Sequence, residues 1–218
     1  MGSFRDRLTN FLWSSKQFTI TNLIILLVLI LTIQTSIVSL HRITSASMEN
    51  TLLVGDVVLV VKTWYGFRLP FTSKTLVSSH RIQPGDVVLF EYPYDPKQIF
   101  AKRCAATAGD TVSIIDKALY INGIVLPPPP DSKFADPDTI PASQGTRDQL
   151  KPTVIPRGTF FVLGDNRDFS SDSRMWGCVP EDRLIGKAAF ILWSAEPGAP
   201  FAGLFGPHRK GRTWKRIE

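Results

Sequence analysis

Two short segments hold the residue types of nucleophilic chemistry. Thr44-Ser45-Ala46-Ser47-Met48 supplies hydroxyls just after a long apolar span, and Phe100-Ala101-Lys102-Arg103 places a lysine inside an apolar run. A serine hydroxyl is a poor nucleophile until a base takes its proton. The usual base is a histidine oriented by a carboxylate. The body of the chain offers only His80 for that role, in the polar stretch Ser78-Ser79-His80-Arg81 before Pro84-Gly85, which reads as loop surface. Lysine is the alternative. In water its pKa near ~10.4 keeps it an ammonium, but burial disfavours the charged form and makes the amine able to accept a proton. Strict alternation puts Lys102 on one face with Phe100 and Cys104, and Arg103 on the other with Ala101 and Ala105. Lys102 then points inward with the apolar set, and Arg103 is free to pair with an acid. Taken alone, the same strand also suits an edge lysine that guards against aggregation.

These residues need a scaffold, and a repeated phrase in the chain supplies it. Gly55-Asp56-Val57-Val58-Leu59, Gly85-Asp86-Val87-Val88-Leu89 and Gly109-Asp110-Thr111-Val112 each set a glycine turn and a capping aspartate before a β-branched run. Their uneven spacing excludes a solenoid repeat and marks strand entries. Further strands are expected over 99–106, 118–125, 160–163 and 185–193. The pattern predicts a mainly β fold, mostly antiparallel, with very little helix in the soluble part. Pro127-Pro128-Pro129-Pro130 through Leu150 breaks the rhythm, because consecutive prolines cannot enter a ladder's interior. Residues 110–157 are therefore expected to form a smaller inserted lobe with a mobile Pro-rich loop, and 41–109 with 158–218 the main β domain.

Composition narrows the class. The chain of 218 residues has room for an anchor and one sizeable domain, and its 15 glycines and 16 prolines favour a turn-rich β protein. A net charge of +6 could serve nucleic acid or an anionic membrane. The basic residues are scattered, however, clustering only at His208-Arg209-Lys210-Gly211-Arg212 and Lys215-Arg216. That tail reads as a solvated or lipid-facing end, and no aromatic-interleaved groove accompanies it, so no nucleic-acid partner is expected. Cys104 and Cys178 make no disulfide framework. Cys104 is most simply a small core residue, and a bridge between the two stays open. His41, His80 and His208 lack ligand spacing, so neither a metal nor a cofactor is expected.

Residues 18–40 contain no charge, and ~20 apolar residues span a bilayer as a helix. A cleavable secretory signal has a shorter apolar region of ~7–15 residues, so a retained anchor is expected. Arg5, Arg7 and Lys16 precede the span, whereas Arg42 is the only nearby Lys or Arg after it. The positive-inside bias then puts 1–17 in the cytoplasm and the β domain outside. Trp64-Tyr65-Gly66-Phe67-Arg68-Leu69-Pro70-Phe71 suits either a hairpin folded onto the sheet or a lip dipping into the lipid interface; Phe201, Leu204 and Phe205 could act similarly.

Three boxes carry a resemblance to type I signal peptidases. Ser45-Ala46-Ser47-Met48-Glu49-Asn50-Thr51-Leu52 is similar to that family's Ser-x-Ser-Met-x-Pro-Thr-Leu, Phe100-Ala101-Lys102-Arg103 before Gly109-Asp110 resembles its lysine box, and residues 164–174 match its Gly-Asp-Asn-Arg-Asp-x-Ser-x-Asp-Ser-Arg box at every fixed position. The resemblance runs from the anchor to about Trp193. It implies a membrane-anchored serine endopeptidase that removes signal peptides from exported preproteins with Ala-x-Ala preference. Ser47 would be the nucleophile and Lys102 the general base. The Ser45 hydroxyl would help hold the oxyanion, and Ser170 would hydrogen-bond and orient the lysine amine. Asp165, Asp172 and Arg174 would support the site through ionic contacts, with Arg103 a partner for Asp172. The implied setting is a bacterial cytoplasmic membrane, with the β domain on its outer side. Two positions depart from the family pattern: Asn50 stands in place of proline, and Thr107-Ala108 in place of Leu-Pro. Both remove backbone restraint and neither removes a reactive group. The competing readings are a self-cleaving Ser/Lys protease, disfavoured by the anchor and the 164–174 box, and a membrane-anchored assembly protein without turnover.

Overall fold

The computed structural model describes residues 4–68, 75–77, 80–196 and 208–217, with side chains described over 19–34, 36–66, 80–196 and 208–217. The N-terminal run is one helix, α1 (Phe4–Ser36), ~50 Å long at 1.5 Å per residue. Its described apolar side chains are exposed, Leu23 at 60% and Ile25 at 59%. Among the described residues no helix is long and apolar enough to cross a membrane; side chains of α1 are described only from Thr19. The helix also ends sooner than the anchor expected from sequence. Residues 38–40 belong instead to β1 (Val38–Arg42), because their backbone groups find a ladder in β2 (Asp56–Val61), with Leu40 opposite Leu59. Lys62 reinforces the switch, its N–H donating to Ile37 O and its amine to Gln34 O.

The chain continues through β3 (Phe67–Arg68), β4 (Thr75–Val77), β5 (Val87–Tyr92), β6 (Asp95–Thr107), β7 (Thr111–Ile115), β8 (Ala118–Ile121), β9 (Ile124–Leu126), β10 (Leu150–Val154) and β11 (Thr159–Leu163). A short helix α2 (Ser173–Trp176) precedes β12 (Val179–Pro180), β13 (Leu184–Ser194) and β14 (Lys215–Arg216). The main sheet is antiparallel, in the order β1-β2-β13-β5-β6-β11-β12, with β14 added alongside β13. The fold is thus mainly antiparallel β, as the strand pattern requires.

All three Gly-Asp phrases build one turn. Gly55, Gly85 and Gly109 have φ of 97°, 99° and 94°, a region that costs glycine little. The carboxylates of Asp56, Asp86 and Asp110 each accept the N–H three residues back, from Leu53, Gln83 and Thr107. Each turn therefore launches its strand with a backbone donor satisfied. β5 is buried on both faces, Val87 and Leu89 packing with Met48, Leu52 and Val60, and Val88 and Phe90 with Cys104 and Phe160. By burial of apolar area at ~25 cal/mol per Å², this double-sided strand is the spine of the domain.

Strands β7 to β10 form a separate four-stranded sheet, in the order β10-β7-β8-β9. It packs on the main sheet through Val112, Ile114 and Leu119 against Ala105, Ala106, Phe161 and Leu163. The single strand expected over 118–125 is a hairpin: Asn122 and Gly123 take φ of 53° and 80°, the two-residue turn that Asn-Gly favours. Polar contacts link the Pro-rich segment to its surroundings. Arg147 pairs with Asp136 (2.8 Å) and Asp148 (2.6 Å), Lys117 donates to Asp136 O (2.6 Å), and Thr146 donates to Arg174 O.

The basic tail is also placed differently from the sequence expectation. Arg212 bonds Asp56 Oδ2 at 2.5 Å and Thr51 O at 3.0 Å, Arg209 bonds Val54 O, and Ile217 enters the core at 7% exposure. Asp56, with no exposed surface, needs a counter-charge, and the tail supplies it. Trp64 stacks on His80 at 5.4 Å. The side chains of the remaining proposed lip residues beyond Gly66, and of Phe201, Leu204 and Phe205, lie outside the described residues.

Candidate active site

The segment carrying Ser47 begins where β1 ends. Ile43 is clamped to the first Gly-Asp turn, its N–H on Asp56 O and its carbonyl on Gly55 N–H. A single 3-10 turn, Ala46–Met48, follows, with Met48 and Leu52 buried at 1% and 0% exposure. These two anchors fix the turn that holds Ser47. Asn166 locks it from above: its N–H donates to Ser47 O (3.1 Å), and its amide to Ala46 O (3.1 Å) and Glu49 Oε2 (3.2 Å). Lys133 of the inserted lobe completes the staple, pairing with Glu49 at 2.9 Å while its N–H bonds Asp165 O. The first-turn N–H groups of such a helix have no partner within it, which leaves them available to an oxyanion.

Lys102 lies opposite Val88 of β5, on the stretch of β6 buried on both faces, and is 3% exposed. An edge lysine guarding against aggregation is thereby ruled out. Its amine donates a very short hydrogen bond to Ser47 Oγ and sits 5.5 Å from the Phe100 ring centroid, on the face that alternation assigns. Burial holds its pKa down at about 8, an effect that Asp172 and Asp165 oppose and Arg174 reinforces. Ser45 Oγ lies 3.1 Å from Ser47 Oγ. The arrangement can move a proton from a hydroxyl to a neutral amine, with a second hydroxyl beside the reacting oxygen.

Four charged residues of the boxes form two pairs near Ser47 and Lys102. Arg103 pairs with Asp165, not with Asp172 as expected: Nε meets Oδ1 at 2.9 Å and Nη2 meets Oδ2 at 2.8 Å. The register explains this, since Leu163 faces Arg103 across β6 and β11, bringing Asp165 within reach. Asp172 is occupied locally. It caps α2 and binds Arg174 at two points (2.8 Å each), while accepting Gly164 N–H. Two-point arginine–carboxylate contacts give fixed geometry as well as attraction. Ser170 also departs from expectation. Its Oγ is buried without a hydrogen-bond partner, packed over the bare Cα of Gly164, and Lys102 bonds Ser47 directly.

Residues 98–102 of β6 and 41–48 line a groove of about 460 Å³ beside Ser47, with Phe169 and Ser171 at its margin. β6 pairs with β11 only from Arg103 onward, so the edge of 98–101 on that side has no ladder partner among the described strands. His80 stacks on Trp64 and bonds Trp64 O, and His41, at the groove, bonds Ser39 Oγ. Both cysteines are free.

Sequence reasoning overlooked Asn166, Thr51 and Lys133. Thr51 Oγ1 donates to Asp165 at 2.5 Å, tying the nucleophile box to the Arg103 pair. Asn166 and Thr51 stand inside the quoted boxes, so the signal existed, but their partners lie 117 or more positions away for Asn166 and 114 for Thr51. Lys133 carries no signal in its local sequence.

Comparison with known proteins shows the family of the chain. Residues 16–193 match the family model described as signal peptidase, peptidase S26. The chain is 34% identical to signal peptidase I of Pseudomonas fluorescens over 203 residues, covering 78% of this chain and 70% of that protein. It is 33% identical to the signal peptidase I of Pseudomonas aeruginosa, covering 82% and 72%. A chloroplastic thylakoidal processing peptidase of Arabidopsis thaliana is 36% identical over 68% of this chain and 40% of its own length. A family match across most of the chain, with the two Pseudomonas relatives matched over more than two thirds of their length, leaves one assignment: the chain belongs to the signal peptidase family, peptidase S26, and is a peptidase.

Proposed function

We propose that this peptidase removes N-terminal signal peptides from exported preproteins by acyl transfer through a Ser47/Lys102 dyad. One observation carries the reading: a lysine amine, buried on a two-sided strand, is hydrogen-bonded to a serine hydroxyl at the end of an open groove. Neutral Lys102 takes the Ser47 proton as Oγ attacks the carbonyl carbon before the cut. The oxyanion forms against the Ser47 N–H and the Ser45 hydroxyl. Protonated Lys102 then donates to the leaving amine, and the neutral amine activates water to release the acyl group. Ser170, Arg103, Asp165, Asp172 and Arg174 hold the shape of the site, the charged four through the two ion pairs described above.

The substrate binds as an added strand along 98–101, where backbone donors and acceptors lack a partner, and alternate side chains point into the groove. Ile43, Met48, Leu89 and Ala101 crowd its floor, which favours small groups at alternate positions and hence Ala-x-Ala.

The protein is held at the bacterial cytoplasmic membrane by the apolar run of α1, with the β domain on the outer side. Ser47 follows the end of α1 by eleven residues, so a membrane-inserted substrate meets the site at a raised effective concentration. The outer sheet face supports the same placement. Leu40, Leu59 and Phe190 form one cross-strand row, and Trp64 and Trp214 are 42% and 68% exposed, a composition suited to the lipid interface.

The test is cleavage of an Ala-x-Ala preprotein by detergent-purified protein, comparing wild type with Lys102→Met. Cleavage at the expected bond that vanishes in the variant supports the reading. Equal cleavage by both removes Lys102 as base. A folded wild type that cuts only itself, or cuts nothing, favours the self-cleaving or the non-catalytic alternative.

A further inference from the structure

Arg167 belongs to the 164–174 box yet takes no part in its ion pairs. It is 6% exposed, and its Nε is buried without a hydrogen-bond partner. Among the described residues no carboxylate lies within ion-pair distance of it; Asp165 and Asp172, each held at two points by Arg103 and Arg174, act on it only at longer range. Burial disfavours its charged form, and Arg174 and Arg103 oppose the help of the two acids, but a guanidinium keeps its proton in proteins. A buried charge without a contacting counter-ion is costly, and the fold maintains one here.

Arg167 lines a cavity of about 390 Å³ between the β8–β9 hairpin and the Pro-rich segment, a volume within the range of small-molecule sites. The cavity shares no residue with the substrate groove. Val125, Leu126, Pro128 and Phe134 give it apolar walls, with the Phe134 ring centroid 6.0 Å from Arg167 Cζ. Lys117 also lines it, but its amine is engaged by Asp168 (3.0 Å) and Asp136 O (2.6 Å). Asp116, the remaining charged lining residue, accepts from Gln149.

We propose that this cavity binds a monoanion on a small apolar body, a carboxylate that meets Arg167 while its body packs against Phe134, Val125, Leu126 and Pro128. The carboxylate supplies the counter-charge the fold omits, and the fork of the guanidinium matches its two oxygens. The flanking backbone is fixed, with Arg167 N–H on Lys133 O (2.8 Å) and Arg167 O accepting from Arg174 (2.6 Å), so the site is formed before the ligand arrives.

The probe is 4-fluorobenzoate, followed by fluorine NMR on the full chain in an uncharged detergent, with 4-fluorobenzyl alcohol as the neutral counterpart. Saturable binding is expected with a Kd of roughly 1 mM, ordinary for a fragment of about ten heavy atoms. The alcohol should bind ~10-fold or more weakly, and Arg167→Met should lose benzoate binding by a similar factor. Arg167→Met should melt no lower than wild type, since it removes an uncompensated charge. If that variant fails to fold, Val125→Glu, at a position 53% exposed, puts a carboxylate beside the cavity and should weaken benzoate binding comparably. Absence of saturable binding, equal binding of alcohol and benzoate, or undiminished binding in the variant that folds would overturn the proposal. The assay needs no turnover, so its outcome is independent of the peptidase mechanism.

Discussion

The pKa of Lys102 makes the pH dependence of cleavage a quantitative test of the dyad. Burial at 3% exposure brings the amine from 10.5 to about 8. At pH 7 the neutral fraction is then ~0.1, against ~0.0003 for an unperturbed amine, so burial supplies roughly 300-fold more base. Both cases rise with pH at first, so the discriminating range is pH 9 to 10. There kcat/KM, which reports groups of the free enzyme, should change by only ~1.1-fold if the pKa is 8 and by ~8-fold if it is 10.5. A fluorogenic Ala-x-Ala peptide assayed from pH 6 to 10 resolves the two. A rise that continues tenfold per unit past pH 9, or no rise at all from pH 6, refutes the buried-base argument. Stability supplies an independent check with a defined sign. The native pKa is lower than the unfolded one, so between about 8 and 10.5 the unfolded chain binds more protons, and wild-type stability from this group rises with pH across that window. Lys102→Met lacks this contribution. The stability of wild type relative to the variant should therefore improve by roughly 2.5 kcal/mol between pH 7 and 10, as read by urea titration at each pH. A constant difference would mean that the amine is not desolvated.

Substitutions at three positions probe the scaffold. In Gly164→Ala the new Cβ would stand 2.5 Å from Ser47 O and against the Ser170 side chain; pushing the nucleophile turn aside should cost ~100-fold in kcat, and unchanged kcat in a folded variant would show that the turn tolerates displacement. Asn50 has φ of 81°, which proline cannot adopt, so Asn50→Pro should destabilise by roughly 3 kcal/mol whereas Asn50→Gly stays within about 1 kcal/mol of wild type; equal melting temperatures for the two would contradict the observed backbone. Arg212→Met leaves Asp56, fully buried, without its closest cation, and should cost roughly 3 kcal/mol, a drop of ~6–12 °C in melting temperature by calorimetry. A drop of less than about 2 °C would mean that the tail is dispensable to the turn.

The Asn50 geometry revises a point that sequence comparison alone would misjudge. Beside the family box, asparagine in place of proline reads as a lost restraint. In the fold the residue sits in the left-handed region, where asparagine is among the better tolerated side chains. The neighbouring Thr51 and Leu52 make their contacts with Asp165 and the core beside this turn.

Local pattern was enough for the strand entries and for the face on which Lys102 lies, because each depends on periodicity or turn chemistry within a few residues. The three Gly-Asp turns are the clearest case: donor, acceptor and glycine all lie within four positions. The face of Lys102 follows equally from alternation along one strand. Partnership was another matter. Alternation gives the face on which Arg103 lies but not which acid meets it, and the register of β6 against β11 selected Asp165 while a local cap retained Asp172. The tail's arginines, Lys133 and Asn166 found partners more than 80 positions away, and the end of α1 was decided by a ladder that only β2 could offer. Composition and spacing thus set which groups are present and which way they face. Tertiary structure decided the long-range charge pairs, Arg103 with Asp165 and Arg212 with Asp56, because they depend on distances closed by the folded sheet and leave no trace in the sequence around either partner.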